Sequence, residues 1–358
     1  MSVPQVSVIM AVYNGGKYLR TAINSVLQQS FTEFEFIIVD DCSTDSTATI
    51  ISSYRDGRIK YIKNKVNLGQ TPSLNIALDL SKGKYIARID ADDVYQPEKL
   101  EIQYSFMEKH PEVTVCGTSG ESIDENGEIY ANRSFPQKPI DIYFRMFYHS
   151  PLNHVSIIMR RSIILKIGGY DERYPICADF ALWSKLIKNN YQITNIPESL
   201  TQFRVHVHSL SIVNKLGQSG EEMADIIYSN IRDLLNLNIT KNECRNIVLM
   251  LWPSSGVSII DLSNAYLNLI AIAKKVYSTK MPIRVIVNLN KYYLKSLVKR
   301  SLYFKSQKKF GLVSKELLNV FRVYYLNPVL IFIAIISFLI VLFLSEKIIN
   351  RLKLVFLV

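Results

Sequence analysis

Short apolar runs alternate with segments of helical period along the N-terminal part of the chain. Val6 to Val12 is almost wholly apolar and gives way to Asn14-Gly15-Gly16, after which a helical pattern continues to about Gln29. A nearly unbroken apolar run of this length predicts a strand buried on both faces, as in a parallel sheet. Phe34 to Val39 repeats the theme and stops at Asp40-Asp41; Ser43, Thr44, Asp45 and Ser46 then supply candidate N-caps for a helix running to about Tyr54. Arg58 to Ile62 predicts a third strand, Pro72 to Leu80 a helix after Asn67-Leu68-Gly69, and Tyr85 to Ile89 a fourth strand. The order β-α-β-α-β-α-β predicts an α/β fold, and open sheets of this kind bind ligands beyond the carboxyl ends of their strands. Tyr13, Asp41 and the acids from Asp90 to Asp93 gather at that edge.

The fourth strand ends abruptly in Asp90, Asp92 and Asp93. Clustered carboxylates repel one another, and a hard cation such as Mn²⁺ or Mg²⁺ relieves the repulsion while docking an anionic diphosphate. A solvated acidic turn is the alternative, because Asp is common wherever strands stop. Asp93 is equally placed to cap a helix before Pro97.

The blocks VSVIMAVYNG, IIVDDCSTDST, NLGQTPSLNIAL, YIARIDADDVYQP, GGYDE and CADFALW follow one another in this order. Together they resemble the successive blocks of an inverting family 2 glycosyltransferase with a GT-A fold, of the bacterial surface-glycan type, over about residues 4 to 211. The resemblance implies a Rossmann-like half that binds a nucleotide-diphospho-sugar, with Val12, Tyr13, Asn14 and Asp41 on the nucleotide and Asp41 at the base. Asp90 and Asp92 match the DxD motif, which implies Asp92 as direct metal ligand and Asp90 as ribose or phosphate partner and second metal candidate. Such a role is chemically apt, since a leaving nucleoside diphosphate develops charge that a metal or cations stabilise.

Inversion at an anomeric carbon needs a base on the face opposite the leaving group to take the proton of the acceptor hydroxyl. The resemblance assigns it to the Asp before an aromatic-x-Leu-Trp run, here Asp179 in Asp179-Phe180-Ala181-Leu182-Trp183. Leu182, Trp183, Leu186 and Ile187 recur at helical spacing and predict a core-facing stripe beside that acid. The other reading of Asp179 is a favourable charge at a helix N-terminus. Ala178 and Ala181 stand where the family often has acids, which puts acceptor-side and phosphate-side helpers in doubt but not the base. His154 and Trp183 are implied as acceptor-proximal, with a structural His at a strand start as the alternative. Arg204 and His206 match a closing Arg-x-His segment; Arg204 suits phosphate oxygens, and His206 suits phosphate or the metal.

Composition sets the outer limits. A chain of 358 residues, 48% of them hydrophobic, exceeds the needs of one catalytic core. Cys42, Cys116, Cys177 and Cys244 form no metal-ligand spacing, and a reducing compartment is the simpler reading. The net charge of +11 is concentrated between Arg284 and Arg322, where ten basic residues face Glu316 alone and aromatic and apolar residues interleave with them. That pattern suits an anionic membrane surface or a nucleic acid. The run Pro328 to Ser345, which carries no charge, decides for the membrane and against nucleic acid. With its flanks it is long enough to cross the hydrocarbon layer, and the stronger basic flank on its N-terminal side predicts a cytoplasmic catalytic domain on a single-pass C-terminal anchor. A helix lying on the membrane surface is the other possibility.

The predicted order is a GT-A domain over residues 1–215, a helical linker over 216–283, a basic membrane-proximal segment over 284–325, a transmembrane helix over 326–345 and a tail over 346–358. The expected activity is metal-dependent transfer of one sugar from a nucleotide-diphospho-sugar, UDP-sugar favoured, to a hydroxyl of a surface polysaccharide or lipid-linked glycan acceptor. A processive synthase is disfavoured, because no Gln-x-x-Arg-Trp block and no set of membrane helices is present. A sugar nucleotidyltransferase calls for a Gly-rich loop with Arg and Lys near the N-terminus, where this chain has Val12-Tyr13-Asn14-Gly15-Gly16-Lys17. A non-catalytic sugar-nucleotide-binding membrane scaffold is the third reading.

Overall fold

The structure, a computed structural model, describes residues 3–206, 217–251 and 259–278, together with residues 282, 285, 289, 292 and 296. The chain divides into two compact units, Met1–Val213 and Asn214–Val358.

In the first unit β1 (Val6–Val12), β2 (Phe34–Asp40), β3 (Ile59–Lys63) and β4 (Tyr85–Arg88) alternate with α1 (Leu19–Leu27), α2 (Thr47–Ser52) and α3 (Gln70–Leu80). These strands are parallel in the order β3-β2-β1-β4. Every residue of β1, β2 and β4 is buried, as their largely apolar runs require, and the polar Ser7, Glu35, Asp40 and Arg88 are buried with them. Val6, Val8, Met10 and Val12 share one core with Leu19, Ala22, Ile23 and Val26 of α1 and with Ile50 and Ile51 of α2. Each such side chain taken fully from water contributes roughly 1.5–3 kcal/mol. Alternation along the strands sends Ile9, Ile37 and Ile86, equally buried, to the other face, and α3 packs against β1 and β2. The strand order reverses between β1 and β4, which opens a crevice at their carboxyl ends.

Five further strands extend the sheet on the β4 side: β5 (Val94–Tyr95), β6 (Val113–Ile123), β7 (Ile129–Arg133), β8 (Ile158–Arg160) and β9 (Gln192–Arg204). The sheet among the described residues has the order β3-β2-β1-β4-β8-β6-β9-β5, with β7 on β6. Here β8 is antiparallel to β4 and β6, whereas β6 and β9 run parallel. The helices of this half are α4 (Lys99–Lys109), α5 (Pro139–Arg145), α6 (Arg161–Lys166) and α7 (Ala178–Lys188). The segment Pro151 to Ser162, which has His154 at an expected strand start, holds a 3₁₀ turn over His154–Ser156, the short β8 and the start of α6.

The second unit holds α8 (Gln218–Leu235), α9 (Lys241–Leu251) and α10 (Ile259–Tyr277), with α9 packed against both others. Asn236 ends α8 in the left-handed region at φ +50°. Thr240 and Glu243 form a reciprocal capping box at the start of α9: the Glu243 amide donates to Thr240 Oγ1 at 3.2 Å, and the Thr240 amide donates to Glu243 Oε2 at 2.8 Å. Among the described residues no helix is long and apolar enough to cross a membrane. The expected transmembrane helix 326–345 and tail 346–358 lie outside the described residues, as does the basic segment 284–325 apart from residues 285, 289, 292 and 296.

Candidate active site

The crevice between β1 and β4 is walled by two loops laced together. Asn14, at φ +51°, accepts the Thr44 amide on Oδ1 at 2.9 Å, while its own amide donates to Ser43 Oγ at 2.9 Å. The amides of Gly15 and Gly16 donate to Thr47 Oγ1 and Asp45 Oδ2, at 3.0 and 2.9 Å. A Cβ on Gly16 would stand 2.4 Å from Ser46 Oγ and 2.8 Å from Asp45 Oδ2, so a larger residue there would displace these two side chains. Val12 is buried beneath the loop, whereas Tyr13 is 53% exposed at its edge.

The paired acids after β2 brace the same wall. Asp40 accepts the Ser43 amide and the Tyr61 hydroxyl, both at 2.8 Å. Asp41 accepts Asn64 Nδ2 and the Leu68 amide at 2.8 Å and the Gly69 amide at 2.7 Å. A carboxylate offers about four acceptor positions, so these three donors leave Asp41 one for a ligand N–H.

Beyond β4 the chain turns, with the Asp93 amide on the Asp90 carbonyl, and one ligand atom from each of Asp90, Asp92 and Asp93 falls within 4.8 Å of the others. Arg88 Nη1 and Nη2 fork onto Asp90 at 2.7 and 2.5 Å, and Gln70 Nε2 donates to it at 3.2 Å. Asp92 meets His206 Nε2 at 2.9 Å. Asp93 is 1% exposed; its Oδ1 accepts the Arg204 amide at 2.8 Å, and its Oδ2 has no hydrogen-bond partner. Burial, then the charges of Asp92 and Asp90, push the Asp93 carboxyl well above the usual carboxylate range. Burial also raises Asp90, against the pull of Arg88. Three converging carboxylates with an orphaned buried oxygen fit a hard divalent ion, whose charge would reverse this mutual repulsion.

Arg204 and His206 complete this side. The Arg204 guanidinium donates to the carbonyls of Asp92 and Asp124, at 2.9 and 2.8 Å, and lies 4.5 Å above the Tyr18 ring. It is 5% exposed, and its contacts make it a brace for the acid turn. The His206 ring is 5.5 Å from the Tyr18 ring.

On the facing side Asp179 occupies the first turn of α7 and accepts Ser150 Oγ at 3.3 Å. Burial raises its carboxyl above the usual range; the Phe180 amide and the Arg88 charge oppose the shift. His154 Nε2 is 2.8 Å from the Tyr170 hydroxyl, and burial followed by Arg88 holds its imidazole well below the ordinary histidine range, hence neutral. Trp183 is fully enclosed, as its place in the stripe requires, and reaches the site through an edge-on contact with His154 at 6.2 Å. Ala178 and Ala181 are also buried, and a carboxylate at either position would need a partner there.

The charge of Asp179 bears on Asp90, and Arg88, which forks onto Asp90, bears on Asp179, so the acid turn and the candidate base lie within electrostatic reach of one another. Three residues with no assigned role in the sequence reading join them. Gln70 contacts Asp90, Tyr170 binds His154, and Arg88 pairs with Asp90 and bears on Asp179. All three stand inside the blocks quoted above, Arg88 in YIARIDADDVYQP, Gln70 in NLGQTPSLNIAL and Tyr170 in GGYDE, with no role attached to them there.

The chain matches the Glycosyl transferase family 2 model over residues 7–168. An uncharacterized glycosyltransferase of Haemophilus influenzae is 32% identical over 302 residues, which cover 81% of this chain and 92% of that protein. The putative glycosyltransferase EpsE of Bacillus subtilis is 38% identical over 206 residues, covering 56% of this chain and 73% of its own. Among solved structures, S. aureus TarS 1-349 in complex with UDP-GlcNAc has a TM-score of 0.55 at 20% identity, covering 85% of this chain and 88% of that one. The mannosyltransferase PcManGT from Pyrobaculum calidifontis, in complex with GDP-Man and Mn2+, has a TM-score of 0.51 at 15% identity, covering 84% and 88%. The two structures bear on the fold, and the sequence relatives on the family: the chain belongs to glycosyl transferase family 2 and is a glycosyltransferase.

Proposed function

We propose that this glycosyltransferase inverts the anomeric centre, moving one sugar from a nucleotide-diphospho-sugar, with UDP-sugar favoured, to a hydroxyl of a surface polysaccharide or lipid-linked glycan. The observation that carries this reading is the convergence of Asp90, Asp92 and Asp93 in one acid turn, with Asp179 as a separate carboxylate in the first turn of α7. One group suits the leaving diphosphate and the other the incoming hydroxyl. The nucleotide sugars in the TarS and PcManGT complexes support the donor class.

The nucleotide rests against Val12, Tyr13 and Asn14, and its base meets the remaining acceptor position of Asp41. Asp90, Asp92 and Asp93 hold a Mn²⁺ or Mg²⁺ ion, with His206 beside Asp92. When bound, such an ion supplies Lewis-acid stabilisation of charge on the leaving diphosphate. Asp179 accepts the proton of the acceptor hydroxyl as the oxygen attacks the anomeric carbon. Ser150 orients that carboxylate, and neutral His154, held by Tyr170, lines the acceptor side without adding a positive charge. The uncharged run 326–345 and its basic flank support a membrane anchor with the catalytic unit on the cytoplasmic side.

The test is the stereochemistry of the product. Protein incubated with an α-linked nucleotide sugar, Mn²⁺ and a lipid-linked or oligosaccharide acceptor is followed by proton NMR at the new linkage. A β-linked product supports the reading, and an α-linked product refutes inversion and with it the single-base role of Asp179.

A further inference from the structure

Tyr18 stands in the turn that leads from the Asn14-Gly15-Gly16 loop into α1, its amide donating to the Gly15 carbonyl at 3.2 Å. It lies outside every sequence block quoted above. Tyr18 occupies the N-cap position of α1, yet its side chain makes no capping hydrogen bond. Ser, Thr, Asp or Asn there would accept an amide of the first turn, so an aromatic residue forgoes a stabilising contact within the helix. What its ring touches lies at the other end of the catalytic unit. The Arg204 guanidinium carbon is 4.5 Å from the ring centre, and the His206 ring centre is 5.5 Å away at an interplanar angle of 39°. These are the distances at which an aromatic face attracts a cation and at which two rings pack. Lys17 Nζ lies 4.8 Å from the same ring and pairs with Glu125 at 2.7 Å, but both partners are exposed and such a pair holds little.

The two residues gathered on the ring are the ones that grip the acid turn. Arg204 donates its amide to Asp93 Oδ1 at 2.8 Å and its Nε to the Asp92 carbonyl at 2.9 Å. His206 Nε2 meets Asp92 Oδ2 at 2.9 Å. With Arg204 only 5% exposed, its charge has little water to rest on, and the ring face supplements the carbonyls that serve its edge. The Tyr18 hydroxyl is buried and makes no hydrogen bond to either residue, so the ring itself carries the contact.

We propose that Tyr18 is a positioning residue of the metal site: its ring is the platform on which Arg204 and His206 are set against Asp92 and Asp93. The proposal rests on the reading of the acid turn as the seat of a divalent ion. It adds that the geometry of that turn depends on a side chain carried by the start of α1.

Replacing Tyr18 by leucine removes the platform. Arg204 then keeps its carbonyls alone, and less holds the His206 ring against Asp92. Loss of a group that orients metal ligands typically weakens metal binding about 10–100-fold, and Tyr18→Leu is expected to fall in that range. Tyr18→Phe keeps the ring and is expected to bind metal close to wild type. An aromatic residue that merely fills space would lower stability when truncated and leave the metal affinity of the folded protein where it was.

The experiment uses full chains in detergent, freed of metal and checked for folding by circular dichroism. Mn²⁺ binding, alone and with UDP present, is measured by titration calorimetry for wild type, Tyr18→Phe, Tyr18→Leu, His206→Ala and the Tyr18→Leu/His206→Ala double variant. Because Tyr18 acts in part through His206, the double variant is expected to lose less than the product of the two single losses. A folded Tyr18→Leu protein with wild-type Mn²⁺ affinity overturns the proposal, and Tyr18→Phe as weak as Tyr18→Leu overturns the assignment to the ring. A double variant that loses the full product overturns the action through His206. Should Tyr18→Leu fail to fold, a ring-fluorinated phenylalanine at position 18, which keeps the shape and weakens the attraction of the face for a cation, decides: weaker Mn²⁺ binding than Tyr18→Phe supports the platform, and equal binding overturns it. A wild-type protein that binds no Mn²⁺ in either condition overturns the metal reading itself, an outcome distinct from a metal-binding wild type with indifferent variants.

Discussion

His206 Nε2 lies 2.9 Å from Asp92 Oδ2, which ties the segment following β9 to the acid turn after β4. The contact fixes one carboxylate oxygen of Asp92 and orients the other. A group that orients a metal ligand in this way typically accounts for about 10–100-fold in metal affinity. His206→Ala is therefore expected to raise the Mn²⁺ concentration for half-maximal activity within that range. Titration of the metal-free protein with Mn²⁺ measures it.

The acid limb of the pH–rate profile should report Asp179. Burial raises its carboxyl above the ordinary value of 3.8, and the base works only when ionised. Activity is accordingly present above the raised pKa and is lost as pH falls through it, at a pH higher than an exposed aspartate would give. The profile of kcat/KM at saturating acceptor checks the position of the limb.

Lys99 offers a separate pH signature, in stability. It is fully buried, with Nζ donating to Gln103 Oε1 at 2.6 Å and lying 4.1 Å from the centre of the Tyr95 ring. Burial lowers its pKa to about 7. The unfolded chain binds that proton more tightly than the folded one, so the destabilisation is complete below about pH 7 and is lifted as pH rises towards the ordinary lysine value. The melting temperature of wild type relative to Lys99→Met is expected to climb across that window. A difference independent of pH would contradict this account of Lys99.

Gly83 marks a contact on which the β1–β4 pairing depends. A Cβ there would stand 2.5 Å from the Ser7 amide nitrogen and 2.7 Å from the Val6 carbonyl carbon, both backbone atoms of β1. Neither can move without disturbing the strand. Gly83→Ala is expected to cost about 1–3 kcal/mol by overpacking, read from denaturant unfolding.

The parts of the fold that were legible are those whose residues carry their own period. β1, β2 and β4 are largely apolar runs because helices cover both faces of their sheet, and the acids that follow β2 and β4 mark the crevice. β5 and β8 span two and three residues, too short for any period to declare them, and both are held by partners distant in the chain. The site divides in the same way. Asp90, Asp92 and Asp179 stand in recognisable blocks, and so does Tyr170, but its partner His154 lies on the other side of α6 and the Gly168-Gly169 turn. Arg204 matched a block that suggested phosphate oxygens, yet its guanidinium is engaged by the carbonyls of Asp92 and Asp124. A motif indicates which residue stands at a position, and the partner it finds there depends on chain that lies elsewhere in the sequence.

The central claim is that an acid turn for the donor and a separate base for the acceptor share one crevice. Nucleoside diphosphate release from a panel of UDP-, GDP- and dTDP-sugars, measured with acceptor and with or without Mn²⁺ for wild type, Asp92→Asn and Asp179→Asn, tests it most directly. The expected result is metal-dependent release from one donor by wild type. Asp92→Asn should lose donor binding and turnover together, whereas Asp179→Asn should keep donor affinity and lose about 10²–10⁴-fold in turnover. Metal-independent turnover, or an Asp179→Asn protein as active as wild type, would contradict it.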